Sequence, residues 1–406
     1  MSDHPDASNN SAPKDDVWSD YNALIAKARA RMLARPEARH RRVADQAEYA
    51  LMAMQAGCHH FHGLYRRDYP AFYRQTVWSP YEAPWGGPSS DMVYAWVMLD
   101  GQHSYRVWGR RGTTRLVDLQ LFNGYFERDD MRGLGSLDFD TLTLGSEGEF
   151  EFIASATRPA SGDWLPLDPT EPAIWGQLRD VFWDWRERGT EIHIECLDTA
   201  PDAMVLPAEE THRRLLRSGK LLERTVARAL GYANMNRKLA GGDNAFGLVV
   251  GANAANSGAS ARAGYGGMVW NLASDEEALV ISWDPPNAHY WSFQNVDMWW
   301  LTLDFSHHQS GLNGHQAEID GDGKLRLVLS LKDPGIANWL DPIGTPVGLC
   351  QMRWYDGMVD AAPQVEKIAF SDIERALPSA RRVSVDERRT AIARRAALSL
   401  ARWPNY

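Results

Sequence analysis

Six side chains between Asp304 and Gln316 could do chemistry: Asp304, His307, His308, Asn313, His315 and Gln316. Histidine titrates near neutral pH, so it can give or take a proton, and a carboxylate beside it fixes its orientation. If 304–308 is the end of a strand, alternation puts Asp304, Ser306 and His308 on one face and His307 on the other. Asp304 with His308 is then the expected acid–base pair, and the following loop can return His315. Asp304, His308 and His315 are the candidate catalytic residues. Asn313 and Gln316 suit a ligand carbonyl or hydroxyl, and Trp299, Trp300 and Arg353 complete the candidate ligand-binding set. The same Asp304, His308 and His315 could also serve as three metal ligands with an open position for water. No fixed-spacing motif of the HExxH kind supports that, so no metal and no cofactor are expected.

A second cluster, Cys58 with His59, His60 and His62, is weaker. Cys58 and His62 are four apart and share a helix face, as a nucleophilic pair would. Cys58 also continues the apolar face of Ala47, Leu51 and Met54, which favours a structural cysteine. There is no GxSxG elbow. The Gly/Ala/Asn-rich stretch 241–267 has no phosphate-cradling motif and reads as a mobile or substrate-covering loop. Asp320-Gly321-Asp322-Gly323 lacks the spacing and distal Glu of a calcium loop, and reads as a hairpin turn.

These residues sit in a stretch that has an earlier copy of itself. Gly148-Glu149-Phe150-Glu151-Phe152-Ile153 resembles Gly323-Lys324-Leu325-Arg326-Leu327-Val328, and Asp163-Trp164-Leu165-Pro166 resembles Asn338-Trp339-Leu340-Asp341. Sixteen positions separate Gly from Trp in both copies, and Arg179 and Arg353 follow at 15 and 14. A Tyr-led strand, at Tyr105 or Tyr290, is expected to open each copy. Features shared by both copies, including Trp164 and Trp339 as core anchors, read as structural. Those found only in the second copy are the better functional candidates.

The remaining elements frame this duplication. A polar tail (1–16) precedes a helix capped by Ser19 and running to about Leu33, and a second helix runs from Val43 to about Phe61. Pro70, Pro80, Pro84 and Pro88 mark a loop, after which strands alternate between short Gly-containing turns. A long helix opens after Pro207 and ends at Gly241-Gly242. The C-terminal helix, from Asp386 to about Arg402, carries Ile392, Ala396 and Leu400 at helical spacing. The boundaries expected are a tail 1–16, a helical region 17–84, a first module 85–204, a linking helix 205–243, a second module 244–363 and a helical segment 364–406. The fold class is α+β: two related antiparallel β-sandwich, jelly-roll-like modules with N-terminal, linking and C-terminal helices.

The totals fit that plan. A chain of 406 residues is too long for one ordinary core. A net charge of −10 argues against a nucleic-acid binder, whose affinity would rest on neutralising phosphates. No apolar run is long enough to span a membrane, and no signal peptide is visible at the N-terminus. Cys58, Cys196 and Cys350 are far apart and form no CxxC pair, which fits a reducing cytoplasm. The 17 tryptophans serve either a core or an aromatic-lined pocket. A carbohydrate platform would need them exposed and coplanar, and burial is expected instead.

Several motifs together resemble the bacterial domain-of-unknown-function family 1214. They are Pro285-Pro286 before Tyr290-Trp291-Ser292, Ser310-Gly311-Leu312-Asn313-Gly314-His315-Gln316, Asp322-Gly323, Asp333-Pro334-Gly335, and Asn338-Trp339-Leu340 before Arg353-Trp354. The earlier copy adds Tyr105-Arg106-Val107, Arg111-Gly112-Thr113 and Asp163-Trp164-Leu165-Pro166, as in longer members. The resemblance implies sandwich modules with added helices and no settled activity. One departure stands out: Gly344-Thr345-Pro346 replaces the Gly-His pair expected after Asp341.

The expected function is binding or turnover of a small, largely apolar molecule, aromatic or terpenoid-like, in a Trp-lined pocket of the second module. If catalytic, it is a cofactor-independent hydrolase or lyase using Asp/His proton transfer. The alternative is a non-catalytic ligand-binding or protein-interaction scaffold. The partner is a small molecule, not nucleic acid or membrane, with a homo-oligomer left open.

Overall fold

The alternating apolar pattern resolves into two sets of strands with one topology. The protein, a computed structural model, is described over residues 16–64, 70–75, 86–124, 128–198, 207–249, 260 and 262–402. The expected polar tail, except residue 16, lies outside these residues, as do 76–85 of the Pro-rich loop and 250–259 with 261 of the Gly/Ala/Asn stretch.

Among the described residues the first copy holds β1 (Tyr73–Gln75), β2 (Met92–Leu99), β3 (Tyr105–Arg110), β4 (Leu116–Phe122), β5 (Gly133–Asp138), β6 (Glu149–Ser155), β7 (Asp163–Pro166), β8 (Ile174–Val181) and β9 (Glu191–Cys196). The second holds β10 (Gly247–Val249), β11 (Ala263–Asn271), β12 (Glu277–Trp283), β13 (Tyr290–Val296), β14 (Gly311–Asn313), β15 (Leu325–Ser330), β16 (Trp339–Leu340), β17 (Val347–Tyr355) and β18 (Gln364–Ala369). The five-stranded sheets run β1-β2-β8-β4-β5 and β10-β11-β17-β13-β14, and the four-stranded sheets β7-β6-β3-β9 and β16-β15-β12-β18. The order is the same strand for strand, so the fold is α+β with repeated sandwich-like modules.

The repeated sequence explains the repeated geometry. Gly148 and Gly323 take φ of +82° and +83° in the turns before β6 and β15, a conformation that a Cβ would strain. The Asp320–Gly323 segment is that hairpin turn. The indoles of Trp164 and Trp339 donate to the backbone oxygens of Ser155 and Ser330 at 3.0 and 3.1 Å. The duplication also corrects an expectation. Tyr105 opens β3, whose counterpart is β12, whereas the counterpart of Tyr290 is Leu116 at the start of β4. A local likeness between two Tyr-led strands is outranked by sheet order.

Each five-stranded sheet points alternate residues at its own four-stranded partner, as period two requires. Val117, Leu119 and Leu121 meet Tyr105, Val107, Phe150 and Phe152 in the first module. Trp291, Phe293, Met352 and Trp354 meet Leu279, Ile281, Trp283 and Leu327 in the second. The other faces of the two five-stranded sheets turn toward each other. There Met92, Tyr94, Leu116 and Val181 pack with Tyr290 and Tyr355.

Three helices close the open side of that layer: α1 (Val17–Leu33), α2 (Arg41–His59) and α3 (Ala208–Ala240). Asp16, not Ser19, caps α1, its carboxylate accepting from Trp18 N at 3.2 Å. Gly241, at φ +80°, ends α3. A short α4 (Ile373–Ala376) precedes α5 (Val385–Ala401), which Ser384 and Glu387 open with a capping box. The face α5 buries is not Ile392, Ala396 and Leu400. Leu400 is 58% exposed, while Arg395 and Arg402 are 8% and 3% exposed. The receiving surface explains this, because it presents carbonyls and rings. Arg395 donates to the oxygens of Phe305 and Gly311 at 2.7 Å, and Arg402 lies over Trp185 at 4.1 Å. Among the described residues no helix is long and apolar enough to cross a membrane.

Candidate functional site

The expected Asp304–His308 pair does not form, because residues 304–308 are not a strand and alternation does not apply there. Asp304 turns back on its own loop. Its Oδ1 accepts from the N–H groups of Ser306 and His307 at 2.8 and 3.0 Å, and its Oδ2 lies 3.2 Å from His307 Nδ1. His308 Nδ1 instead meets Asp341 Oδ2 at 2.7 Å. His315 Nε2 lies 3.5 Å from Asp184 Oδ2. Three histidines thus pair with three different carboxylates. Asp304, His308 and His315 are not brought together, either as an acid–base site or as a metal triad. Among the described residues no group of three or more His, Cys, Asp or Glu could hold a metal ion.

Asn313 and Gln316 are also committed to the structure. Asn313 Oδ1 accepts from His315 N and Gln316 N at 3.0 and 3.1 Å, and its amide donates to the oxygen of Trp183 at 3.0 Å. Gln316 Oε1 accepts from Asn313 N at 3.3 Å. Cys58 is buried among the helices. Thr345, standing where a His was expected, is buried and its hydroxyl oxygen accepts from Gln46 Nε2 at 2.9 Å.

The His308–Asp341 pair has a testable electrostatic consequence. The hydrogen bond to Asp341 raises the His308 pKa above its usual 6.5, against partial burial. A raised folded-state pKa means that the pair's stabilisation is complete below the unfolded value. It is lost as pH rises through the folded one. Asp341→Asn is expected to bring the His308 midpoint down, as followed by NMR of the imidazole carbons. An unchanged midpoint would disprove the assignment.

Trp299, Trp300 and Arg353 lie elsewhere, and the first two part company. Trp299 is anchored in the helical core, its indole donating to Val43 O at 3.0 Å. Trp300 sits at φ +66°, strained for a bulky residue, and stacks on Tyr232 of α3 at 5.4 Å. The buried Asp297 carboxylate holds this turn by accepting from Trp299 N and Leu301 N, both at 2.9 Å.

Trp300 and Arg353 border the layer between the modules, and its chemistry is unlike a core. On β8 and β17 a Gln-x-Arg sequence recurs at equivalent positions. Arg179 donates to Gln177 Oε1 at 2.6 Å, and Arg353 to Gln351 Oε1 at 2.7 Å. Opposite Arg179 in register stands Asp118 of β4, its Oδ2 3.5 Å from the guanidinium. Opposite Arg353 in register stands Ser292 of β13. Tyr94, Tyr232, Tyr265 and Tyr290 are the titratable neighbours that act on Arg353. Burial raises the pKa values of Tyr232, Tyr265 and Tyr290, so these are neutral phenols at physiological pH. Burial raises Asp118 as well, opposed by Arg179.

Polar atoms in this layer are left unpartnered. Asp118 Oδ1, Gln120 Oε1, Asn236 Oδ1 and Arg353 Nη1 are buried without a hydrogen-bond partner. Arg179 escaped the sequence reading because an arginine recurs there in both copies, and Asp118 and Gln120 because nothing local in β4 ties them to β8, where Arg179 stands 61 residues from Asp118. The repeated Gln-x-Arg was the available signal, and the Asp-to-Ser difference opposite it was the informative one.

A groove of about 680 Å³ elsewhere, on the solvent face of the first module, is lined by Trp108, Arg110, Thr143, Asp163 and His193. Its Trp108 ring lies beside His193, stacked at 5.6 Å, with Arg106 over it at 4.7 Å. That covering makes it a poor sugar platform.

No family model matches this chain, and no curated protein matches it in sequence. Among solved structures, an uncharacterised protein from Burkholderia cenocepacia is 25% identical with a TM-score of 0.78, over 88% of this chain and 98% of that one. The VPA0106 protein from Vibrio parahaemolyticus is 13% identical with a TM-score of 0.44, over 80% of this chain and 100% of that one.

Proposed function

We propose that this chain binds a small, largely apolar molecule in the layer between its two modules. One observation carries the reading: buried polar atoms without partners collect on the facing sides of β4 and β17 and on α3. Native interiors pair such groups, and a cluster of exceptions calls for a reason. A ligand that supplies the partners, against walls of Tyr94, Tyr232, Tyr265, Tyr290 and Trp300, is that reason. The reading moves the site from the interior of the second module to the junction of the two. The tryptophans inside the second module pack on one another, Trp283 against Trp291 edge-on at 5.6 Å. It also favours binding over turnover, since no two expected catalytic groups converge.

The test is a thermal-shift series with aromatic and terpenoid compounds, neutral and charged, on the wild type and Trp300→Ala. A ligand held only by the native state raises its melting temperature in a saturable way. The expected result is such a rise for one compound class, weakened in Trp300→Ala. A panel that gives no saturable rise, or a rise indifferent to Trp300→Ala, would overturn the proposal.

A further inference from the structure

The duplication supplies an internal comparison at the centre of the proposed site. In the first module a buried arginine, Arg179, faces a carboxylate, Asp118, at 3.5 Å. In the second module the equivalent arginine, Arg353, faces Ser292 in the same register. Arg353 is 6% exposed and Ser292 1% exposed. Arg353 Nη2 donates to Gln351 Oε1 and to the backbone oxygen of Gly87. Its Nη1 has no hydrogen-bond partner, and Ser292 Oγ has the Tyr290 hydroxyl beside it as a hydrogen-bonding neighbour. Among the described residues no carboxylate pairs with this guanidinium. A buried charge without a counter-charge is among the least favourable arrangements in a protein interior.

Resting on the reading that the layer binds a small molecule, we infer that its ligand carries a carboxylate, and that this carboxylate takes at Arg353 the place Asp118 holds at Arg179. With both Nη2 hydrogens committed, the free Nη1 presents its N–H donors to a carboxylate oxygen, a charge-assisted contact that a neutral acceptor cannot match. Ser292, whose side chain is one carbon shorter than that of aspartate, leaves room for the incoming carboxylate and adds a hydroxyl. The four surrounding phenols and the Trp300 indole form walls for a flat apolar body, so the class is an aromatic or similarly flat carboxylate.

The experiment uses the full chain with matched pairs of compounds: benzoate with benzamide, 2-naphthoate with 2-naphthamide, and indole-3-acetate with its amide. Binding is followed by calorimetry on the wild type, Ser292→Asp and Arg353→Met, with near-ultraviolet dichroism confirming that each variant folds. Ser292→Asp installs a carboxylate where the first module has one, so it neutralises Arg353 from within. The expected result is carboxylate binding by the wild type alone, with affinity reduced at least roughly 30-fold in Ser292→Asp and in Arg353→Met. Ser292→Asp is also expected to melt higher than the wild type without ligand. Amides that bind the wild type as well as the acids would overturn this inference and leave small-molecule binding in place. Carboxylate binding that survives Ser292→Asp would also overturn it. Binding of neither series, with no compound from the wider panel binding, would sink both.

Discussion

Asp118→Ala is expected to destabilise the protein by about 3–5 kcal/mol, the range for removing one partner of a buried ion pair. Asp118 and Arg179 are 1% and 3% exposed, so solvent cannot replace the lost carboxylate. Arg179 would keep Gln177 Oε1, a neutral acceptor that does not cancel its charge. The double variant Asp118→Ala/Arg179→Met should recover most of the loss, because apolar groups of similar volume tolerate burial where a lone charge does not. Urea denaturation of the two single variants and the double variant gives the coupling directly. A near-wild-type Asp118→Ala would show that this pair adds little. The result bears on the second module, since Asp118→Ala creates at Arg179 the arrangement that the protein already has at Arg353. A large loss at one arginine sharpens the question of what stabilises the other.

The second large effect is a dependence on pH at Asp297. Full burial raises this carboxyl from 3.8 to about 7, although two backbone N–H groups favour its ionised form. The unfolded chain releases this proton near pH 4 and the folded protein only near pH 7. Between those values the folded state binds more protons, so its stability falls as pH rises. Asp297→Asn keeps the oxygen that accepts from Trp299 N and Leu301 N and removes the charge. The variant should match the wild type near pH 4 and gain on it progressively, reaching about 4 kcal/mol above pH 7. Thermal or urea denaturation of both proteins from pH 4.5 to 8.5 checks this, and parallel profiles would refute it. His308 adds a slope of the same sign, so the comparison must be made between variants and not read from the wild type alone.

Local chemistry was legible in the sequence. The turns at Gly148 and Gly323 and the caps of α3 at Pro207 and Gly241 follow from residues within one or two turns of each other, whereas Trp164, expected as a core anchor, is only half-buried. Equal spacing in the two copies revealed a duplication whose sheet orders match strand for strand. Alternation and turn chemistry are properties of short segments, and short segments report them.

What escaped the sequence was every pairing made across the fold. His308 could not be assigned to Asp341, 33 residues away, because alternation pointed to Asp304 and the segment is no strand. The buried face of α5 could not be read from Ile392, Ala396 and Leu400, because Trp185 and the backbone oxygens of Phe305 and Gly311 that receive it are distant in sequence. The inter-module layer was hidden for the same reason. Asp118, Ser292, Arg179 and Arg353 lie on four strands, and which sheet faces meet depends on the packing of both modules against α2 and α3. The sequence by itself determined the strands, the helices and their repetition. Only the tertiary structure decided that the faces turned away from each sandwich core would meet. It thereby buried two equivalent arginines, one with a carboxylate and one without.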